Sequence, residues 1–258
     1  MSISKFRFAC LTVAAALAVG VSSAQAGFTS FVIRNAATIQ NNNTYVPNAT
    51  EFIIDAAGEK AGYGSSDIDG YQVGDITKLA IVRHDDESRF TAGSGPAVAP
   101  YFNIWITDGS NYAVIANEPS NPDFQSLYNN GYDLSWGNIA NKVAKVYENS
   151  NLNWLPNNGV GLTFSDLANF TIKAPSVAEL TTGWAGLGTG APRDAANNAY
   201  GVNWVFGDTL ANYVGAPTGE GYVVSGGLVQ AVPEPATVAL AGVAGLGLIS
   251  AARRRRNA

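Results

Sequence analysis

Three carboxylates, Asp67, Asp69 and Asp75, lie close together in the sequence around Gly70. Carboxylate oxygens are the hard ligands that Ca²⁺ prefers, and a glycine permits the sharp turn of a calcium loop. The later Glu and the flanking helices of an EF-hand are missing. Carboxylates this close repel one another unless a cation or hydrogen-bond donors compensate. The sequence therefore predicts a structural Ca²⁺ site at these residues, with a turn satisfied by hydrogen-bond donors as the alternative.

The segment Tyr101–Thr107 alternates in the way that a strand with two different faces does. Phe102, Ile104 and Ile106 form an apolar face that is typical of a core. The opposite face is mixed and carries Tyr101, Asn103, Trp105 and Thr107. One interpretation is a sugar-stacking platform on Trp105, with Tyr101 and Asn103 beside it. The other is that a second layer covers this face and makes Trp105 part of the core, because Trp is highly buried on average.

The single histidine, His84, stands before a second acidic group, Asp85, Asp86 and Glu87, which we interpret as a solvated turn. No Gly-x-Ser-x-Gly elbow accompanies this histidine, and a zinc site lacks its further imidazole or thiolate ligands. The glycine-rich segment 186–190 lacks the Lys and the following helix of a phosphate-binding loop. We therefore predict that the protein is not an enzyme. A glycan-acting hydrolase stays open as an alternative, because its two acids leave no spacing signal.

Short strands separated by turn residues are the elements that must position these side chains. The predicted strands are Phe28–Arg34, Glu51–Asp55, Thr77–Arg83, Tyr101–Thr107, Tyr112–Ala116, Asn169–Lys173, Gly201–Phe206 and Gly221–Gln230. Asp108 to Asn111 predicts a hairpin turn. Helical spacing of apolar residues predicts one helix, Leu134–Tyr147. The fold class that follows is an all-β, antiparallel sandwich of jelly-roll type with one or two short helices.

The C-terminal residues have a three-part order. Pro233, Glu234 and Pro235 form an extended, exposed linker, because proline restricts its own φ and the residue before it. Residues 236–252 carry no charge and predict a transmembrane helix of about 26 Å, enough to cross a hydrocarbon core. The cations Arg253, Arg254, Arg255 and Arg256 then stop export, because such a block stays on the cytoplasmic side.

These residues resemble the PEP-CTERM sorting signal of Gram-negative bacteria, which joins a Pro-Glu-Pro triplet, a short apolar span and an Arg-rich end. The resemblance covers residues 231–258 and implies an exported chain that the tail holds in the inner membrane. It further implies processing by an exosortase, a membrane transpeptidase with a catalytic Cys. The family of the remaining chain is not recognised.

The N-terminal residues predict a secretory signal peptide over residues 1–26. Lys5 and Arg7 precede an apolar run, and Ala24-Gln25-Ala26 supplies the small residues of a cleavage site. The mature chain is therefore expected to begin at Gly27. Cys10 leaves with the signal, so the exported domain has no disulfide.

The segment between the two ends, residues 27–230, is predicted to be one acidic ectodomain. Nine Lys and Arg face nineteen Asp and Glu there, a net charge near −10. Such a surface argues against binding nucleic acid or anionic lipid. Apart from Ca²⁺, no cofactor is predicted.

For function, the sequence favours a structural or adhesive protein of the cell surface or of the exopolysaccharide matrix, as in a biofilm. A carbohydrate-binding module is the alternative, and a glycan-acting hydrolase is the third. The expected partners are an exosortase and, as a candidate ligand, polysaccharide.

Overall fold

A computed structural model describes residues 27–41, 46–85, 99–117, 121–124, 132–147, 151, 153–181, 190–207 and 221–232. The predicted signal peptide, Pro233 and all that follows it, and the acids Asp86 and Glu87 lie outside these residues. The predictions made for those segments are therefore not tested by the structure.

The described residues form strands that assemble into two antiparallel sheets. The strands are β1 (Thr29–Arg34), β2 (Thr38–Asn41), β3 (Thr50–Ile53), β4 (Lys60–Ser65), β5 (Ile76–Arg83), β6 (Tyr101–Thr107), β7 (Tyr112–Ala116), β8 (Asp133–Leu134), β9 (Lys145–Tyr147), β10 (Thr171–Ile172), β11 (Val202–Phe206) and β12 (Tyr222–Ala231). Two short helices, α1 (Trp136–Ile139) and α2 (Val177–Thr181), lie between them.

The seven-stranded sheet has the order β1-β4-β11-β6-β7-β9, with β10 also paired to β6. The five-stranded sheet has the order β2-β3-β12-β5-β8. One hydrophobic cluster contains side chains of both sheets, including Phe52, Leu79, Ile104 and Trp204. The Phe52 and Phe206 rings stack at 4.1 Å across this core. The predicted all-β sandwich is thus confirmed for the described part of the chain.

All eight predicted strands correspond to observed ones, and the Asp108–Asn111 turn joins β6 to β7 as predicted. The Asp108 carboxylate accepts hydrogen bonds from the amides of Ser110 and Asn111, both at 2.8 Å. Gly109 takes a φ of 98°, which suits a residue without a Cβ. A short polar loop can therefore close this hairpin.

The predicted helix Leu134–Tyr147 is wrong. Only α1 is helical within it, and the segment begins in β8 and ends in β9. The Ser135 and Asn138 side chains cap this short helix reciprocally, and the chain then leaves it. The Ala144 amide donates to the Leu162 carbonyl at 2.8 Å, so the backbone bonds to another segment instead of continuing the helix. Tertiary pairing overrides the helical spacing here.

Both faces of the seven-stranded sheet are covered at its centre. Every residue of β6, β7 and β11 is buried. One face packs against the five-stranded sheet. On the other face, Trp105, Tyr112 and Val114 pack with Ala174 and Ala191, which belong to the connection between β10 and β11.

Candidate functional site

The proposed aromatic platform is not on the surface. Trp105 is 0 % exposed, and its indole Nε1 donates to the Pro192 carbonyl at 3.3 Å. Tyr101 and Asn103 are buried as well. The prediction of a sugar-stacking face at these three residues is therefore wrong, and the alternative, a covered face with Trp105 in the core, is what the structure has.

Two asparagine side chains lie opposite each other on this covered face of the sheet. Asn103 of β6 lies directly opposite Asn203 of β11, and both side chains are buried. Asn203 Nδ2 donates to the Tyr200 carbonyl at 2.8 Å. Neither polar atom of the Asn103 side chain has a hydrogen-bond partner among the residues that the structure describes. The sequence shows both residues but not their pairing, because they are far apart along the chain.

The three carboxylates of the predicted cation site do not form one cluster. Asp75 Oδ2 accepts from the Gln72 amide at 2.9 Å and closes a 3₁₀ turn over Val73–Asp75. Asp67 Oδ2 accepts from the Gly27 amide at 2.8 Å. No group of three His, Cys, Asp or Glu that could hold a metal ion occurs among the residues that the structure describes. Hydrogen-bond donors compensate two of these charges, as the alternative proposed.

Asp69 is the remaining member of this turn, and its carboxyl group occupies the space that a side chain at Gly201 would need. Burial of the carboxyl group raises the pKa of Asp69 to about 6. A hydrogen bond from Ser66 and the positive charge of Lys173 oppose this rise, whereas the negative charge of Asp67 adds to it. Burial therefore disfavours the charged form of Asp69.

A buried ion pair lies at one end of the five-stranded sheet. The guanidinium of Arg83 donates to both carboxylate oxygens of Asp85 and lies over the Tyr132 ring, 4.5 Å from its centroid. Asp85 Oδ1 also accepts from the Val223 amide at 3.0 Å, which ties the end of β5 to β12. The prediction that Asp85 is solvated is wrong, because its charge is buried against an arginine that the sequence pattern did not pair with it.

His84, in contrast, is exposed as predicted, and its Nε2 lies 2.7 Å from the Ser225 hydroxyl. Ser225 occupies an irregularity in the pairing of β12 with β5, which turns its side chain to the outer face. The distance suits a serine nucleophile and its base. No carboxylate contacts His84 in the described part of the chain, and Asp85 is engaged by Arg83. Within the described ranges the contact links the end of β5 to β12.

A shallow groove of about 470 Å³ follows the outer face of β5 and β12. Its floor includes Ala80, Val82, Gly226 and Leu228, and Ser225 lies beside them. The Lys78–Asp133 ion pair, with an N–O distance of 3.0 Å, also lines it. None of the described residues that line the groove is aromatic.

The folded domain ends directly before the predicted sorting segment. β12 is hydrogen-bonded to β3 and β5 and ends at Ala231. The next amide, that of Val232, still donates to the Asp75 carbonyl at 2.9 Å. Pro233 follows at once in the sequence.

Residues 231–256 match the family model of the PEP-CTERM protein-sorting motif. The chain carries a PEP-CTERM motif. This motif marks a protein that an exosortase sorts to the cell surface, and it implies processing by that enzyme. No curated protein and no solved structure matches the chain. None of the helices within the described ranges is long and apolar enough to cross a membrane; the predicted span, residues 236–252, lies outside those ranges.

Proposed function

We propose that this PEP-CTERM protein is an exported structural or adhesive component of the cell surface or exopolysaccharide matrix. Residues 236–252 and the four arginines that follow them anchor the chain transiently in the inner membrane. An exosortase then processes it at Pro233–Pro235. The observation that carries the proposal is the match of residues 231–256 to the sorting motif, directly after a folded β-sandwich.

The character of the ectodomain supports a role that depends on its surface. The central strands of the seven-stranded sheet are covered on both faces, and the groove on the five-stranded sheet is shallow and open. That the protein is not an enzyme stays part of this proposal. Polysaccharide remains a candidate partner, through a surface other than the buried face of Trp105.

The sorting part of the proposal is tested by replacing Glu234 with Ala in cells that contain an exosortase. We expect the wild-type protein to lose its tail and to leave the membrane fraction. Glu234→Ala should remain uncut and membrane-bound. Asp55→Ala, a change at an exposed acid of the folded domain, is the matched control and should be processed normally. Mass spectrometry of the C-terminus decides the outcome, because a wild-type protein that ends at Ala258 in these cells would rule out processing.

The matrix part has a separate readout. The experiment compares whole cells, washed cells, isolated exopolysaccharide and the culture medium. We expect most of the processed protein with the cell surface or with the polysaccharide. Recovery mainly as unbound protein in the culture medium would overturn the matrix role and leave the sorting result intact.

A further inference from the structure

The first two described residues, Gly27 and Phe28, each contact another segment of the folded domain. The Gly27 amide donates to Asp67 Oδ2 at 2.8 Å. The next residue, Phe28, stacks on Tyr63 with 4.7 Å between ring centroids, and its ring also fills the space above Gly227. β1 then begins at Thr29. Packing of Phe28 therefore fixes the position of the Gly27 nitrogen against the carboxylate.

The chemical nature of this nitrogen depends on export. In the full-length chain it is a peptide amide with one hydrogen. If signal peptidase cuts after Ala26, the same atom becomes an α-ammonium with three donors and a positive charge. Its hydrogen bond to the Asp67 carboxylate then joins two opposite charges, and this ion pair is stronger than the bond that the neutral amide donates to the same carboxylate.

The surroundings favour a cation at this point. Asp69 follows Asp67 in the same turn, and both its burial and the negative charge of Asp67 disfavour its charged form. The Lys173 ammonium acts on Asp69 from the end of β10. A further positive charge at Gly27 would offset the repulsion between the two carboxylates.

We infer that the turn containing Asp67 and Asp69 is the binding site for the α-ammonium group of the chain's own mature N-terminus. Removal of the signal peptide thereby adds an ion pair that holds β1, an edge strand, onto β4. The cation predicted at this turn from the sequence is then part of the chain itself. This inference depends on cleavage between Ala26 and Gly27 and is independent of how the C-terminal tail is processed.

The first test compares the exported protein, isolated from cells, with the same protein after selective acetylation of its terminal amine. Acetylation removes the terminal charge but retains one N–H donor. We expect sequencing to give Gly27 as the first residue. The unmodified protein should melt about 1–4 °C higher at pH 6.5, the range expected for an exposed ion pair in a domain of this size.

The pH dependence of this difference follows from the sign of the linkage. A carboxylate partner raises the pKa of the terminal amine in the folded state above its ordinary value near 8. The stabilisation is therefore fully present below about pH 8 and is lost as the pH rises through the higher, folded-state pKa. At pH 10 or above, the acetylated and unmodified proteins should have the same melting temperature. The other charged groups that act on this turn are the Asp67 and Asp69 carboxylates and Lys173.

Asp67→Asn separates this site from a general effect of the terminal charge. In that variant the acetylated and unmodified proteins should melt at the same temperature. In Asp55→Asn, the matched control, the difference should persist. The inference is overturned if the mature chain begins elsewhere, if acetylation leaves the wild-type melting temperature unchanged, or if its effect persists in Asp67→Asn.

Discussion

At the scale of single residues, the Trp105 indole shows that both faces of a strand can be excluded from solvent, including the face that does not point toward the other sheet. The side chain is fully buried between neighbouring strands and the connection that carries Ala191 and Pro192. Its mixed sequence neighbours, Asn103 and Thr107, are buried with it. A covered polar residue and an exposed one look alike in sequence, because alternation reports faces and not what lies over them.

We predict that Trp105→Ala lowers the free energy of unfolding by about 3–5 kcal/mol, since it leaves a cavity in a packed region. Chemical denaturation measures the loss. Val160→Ala, at a side chain that is 65 % exposed, is the control and should change stability by less than about 0.5 kcal/mol. A Trp105→Ala protein of wild-type stability that no longer binds polysaccharide would restore the platform interpretation.

The two ion pairs of the five-stranded sheet allow a second comparison. Arg83 and Asp85 are almost fully buried, whereas the side chains of Lys78 and Asp133 are 34 % and 56 % exposed. Asp85→Asn should cost about 3–5 kcal/mol of unfolding free energy, because it leaves the Arg83 charge buried without its partner. Asp133→Asn should cost less than about 1 kcal/mol, as exposed pairs do. Equal losses in two denaturation curves would show that burial of the first pair is not what sets its importance.

At the scale of elements, the sequence predicts strands well where two different faces alternate, as in β6. It misses β4, whose segment Lys60–Ser65 contains two glycines and has little strand propensity. Those glycines make room for neighbours: the Phe31 ring lies over Gly62, and Tyr200 and Asn203 lie over Gly64. Such a strand is specified by its partners, which the sequence does not identify. The contact between His84 and Ser225 could not be predicted for the same reason, because no sequence motif joins the two residues.

Gly64→Ala tests this explanation of β4. A Cβ at that position would lie 2.5 Å from Asn203 Oδ1 and 2.7 Å from Tyr200 Cδ2. We expect a loss of about 1–3 kcal/mol in unfolding free energy, the usual result of overpacking. Gly226→Ala is the matched control, because a Cβ there meets nothing within 4 Å. An unchanged free energy of unfolding in Gly64→Ala would mean that Tyr200 and Asn203 can move aside without loss of stability.

At the scale of the whole molecule, the folded domain and the sorting motif adjoin without a spacer. Val232 is still hydrogen-bonded to Asp75, and Pro233 opens the segment at which we propose processing. The sequence predicts both parts and their order, but not that a strand inside the sheet leads directly into the tail. Under the proposed processing at Pro233–Pro235, the folded domain therefore lies close in sequence to the point of cleavage.

A flexible Gly-Ser insertion of several residues between Val232 and Pro233 should shorten the half-time of tail removal, because it relieves crowding between the domain and the enzyme. Pulse-chase labelling in exosortase-proficient cells measures this half-time. The same insertion in the β6–β7 loop at Gly109 should leave it unchanged. A half-time that does not respond to the first insertion would show that access is not limiting.

The position of β12 also has a mechanical consequence. It is hydrogen-bonded to β3 on one side and to β5 on the other, and its C-terminal end leads into the sorting motif. A load applied through the C-terminus, while the chain is tethered or after it has been joined to an acceptor, acts along this strand. It strains rows of hydrogen bonds on both sides in shear, whereas a pull on the edge strand β1 could peel one row apart, bond by bond. The end at which we propose the tether is thus attached to a strand that should withstand tension better than β1.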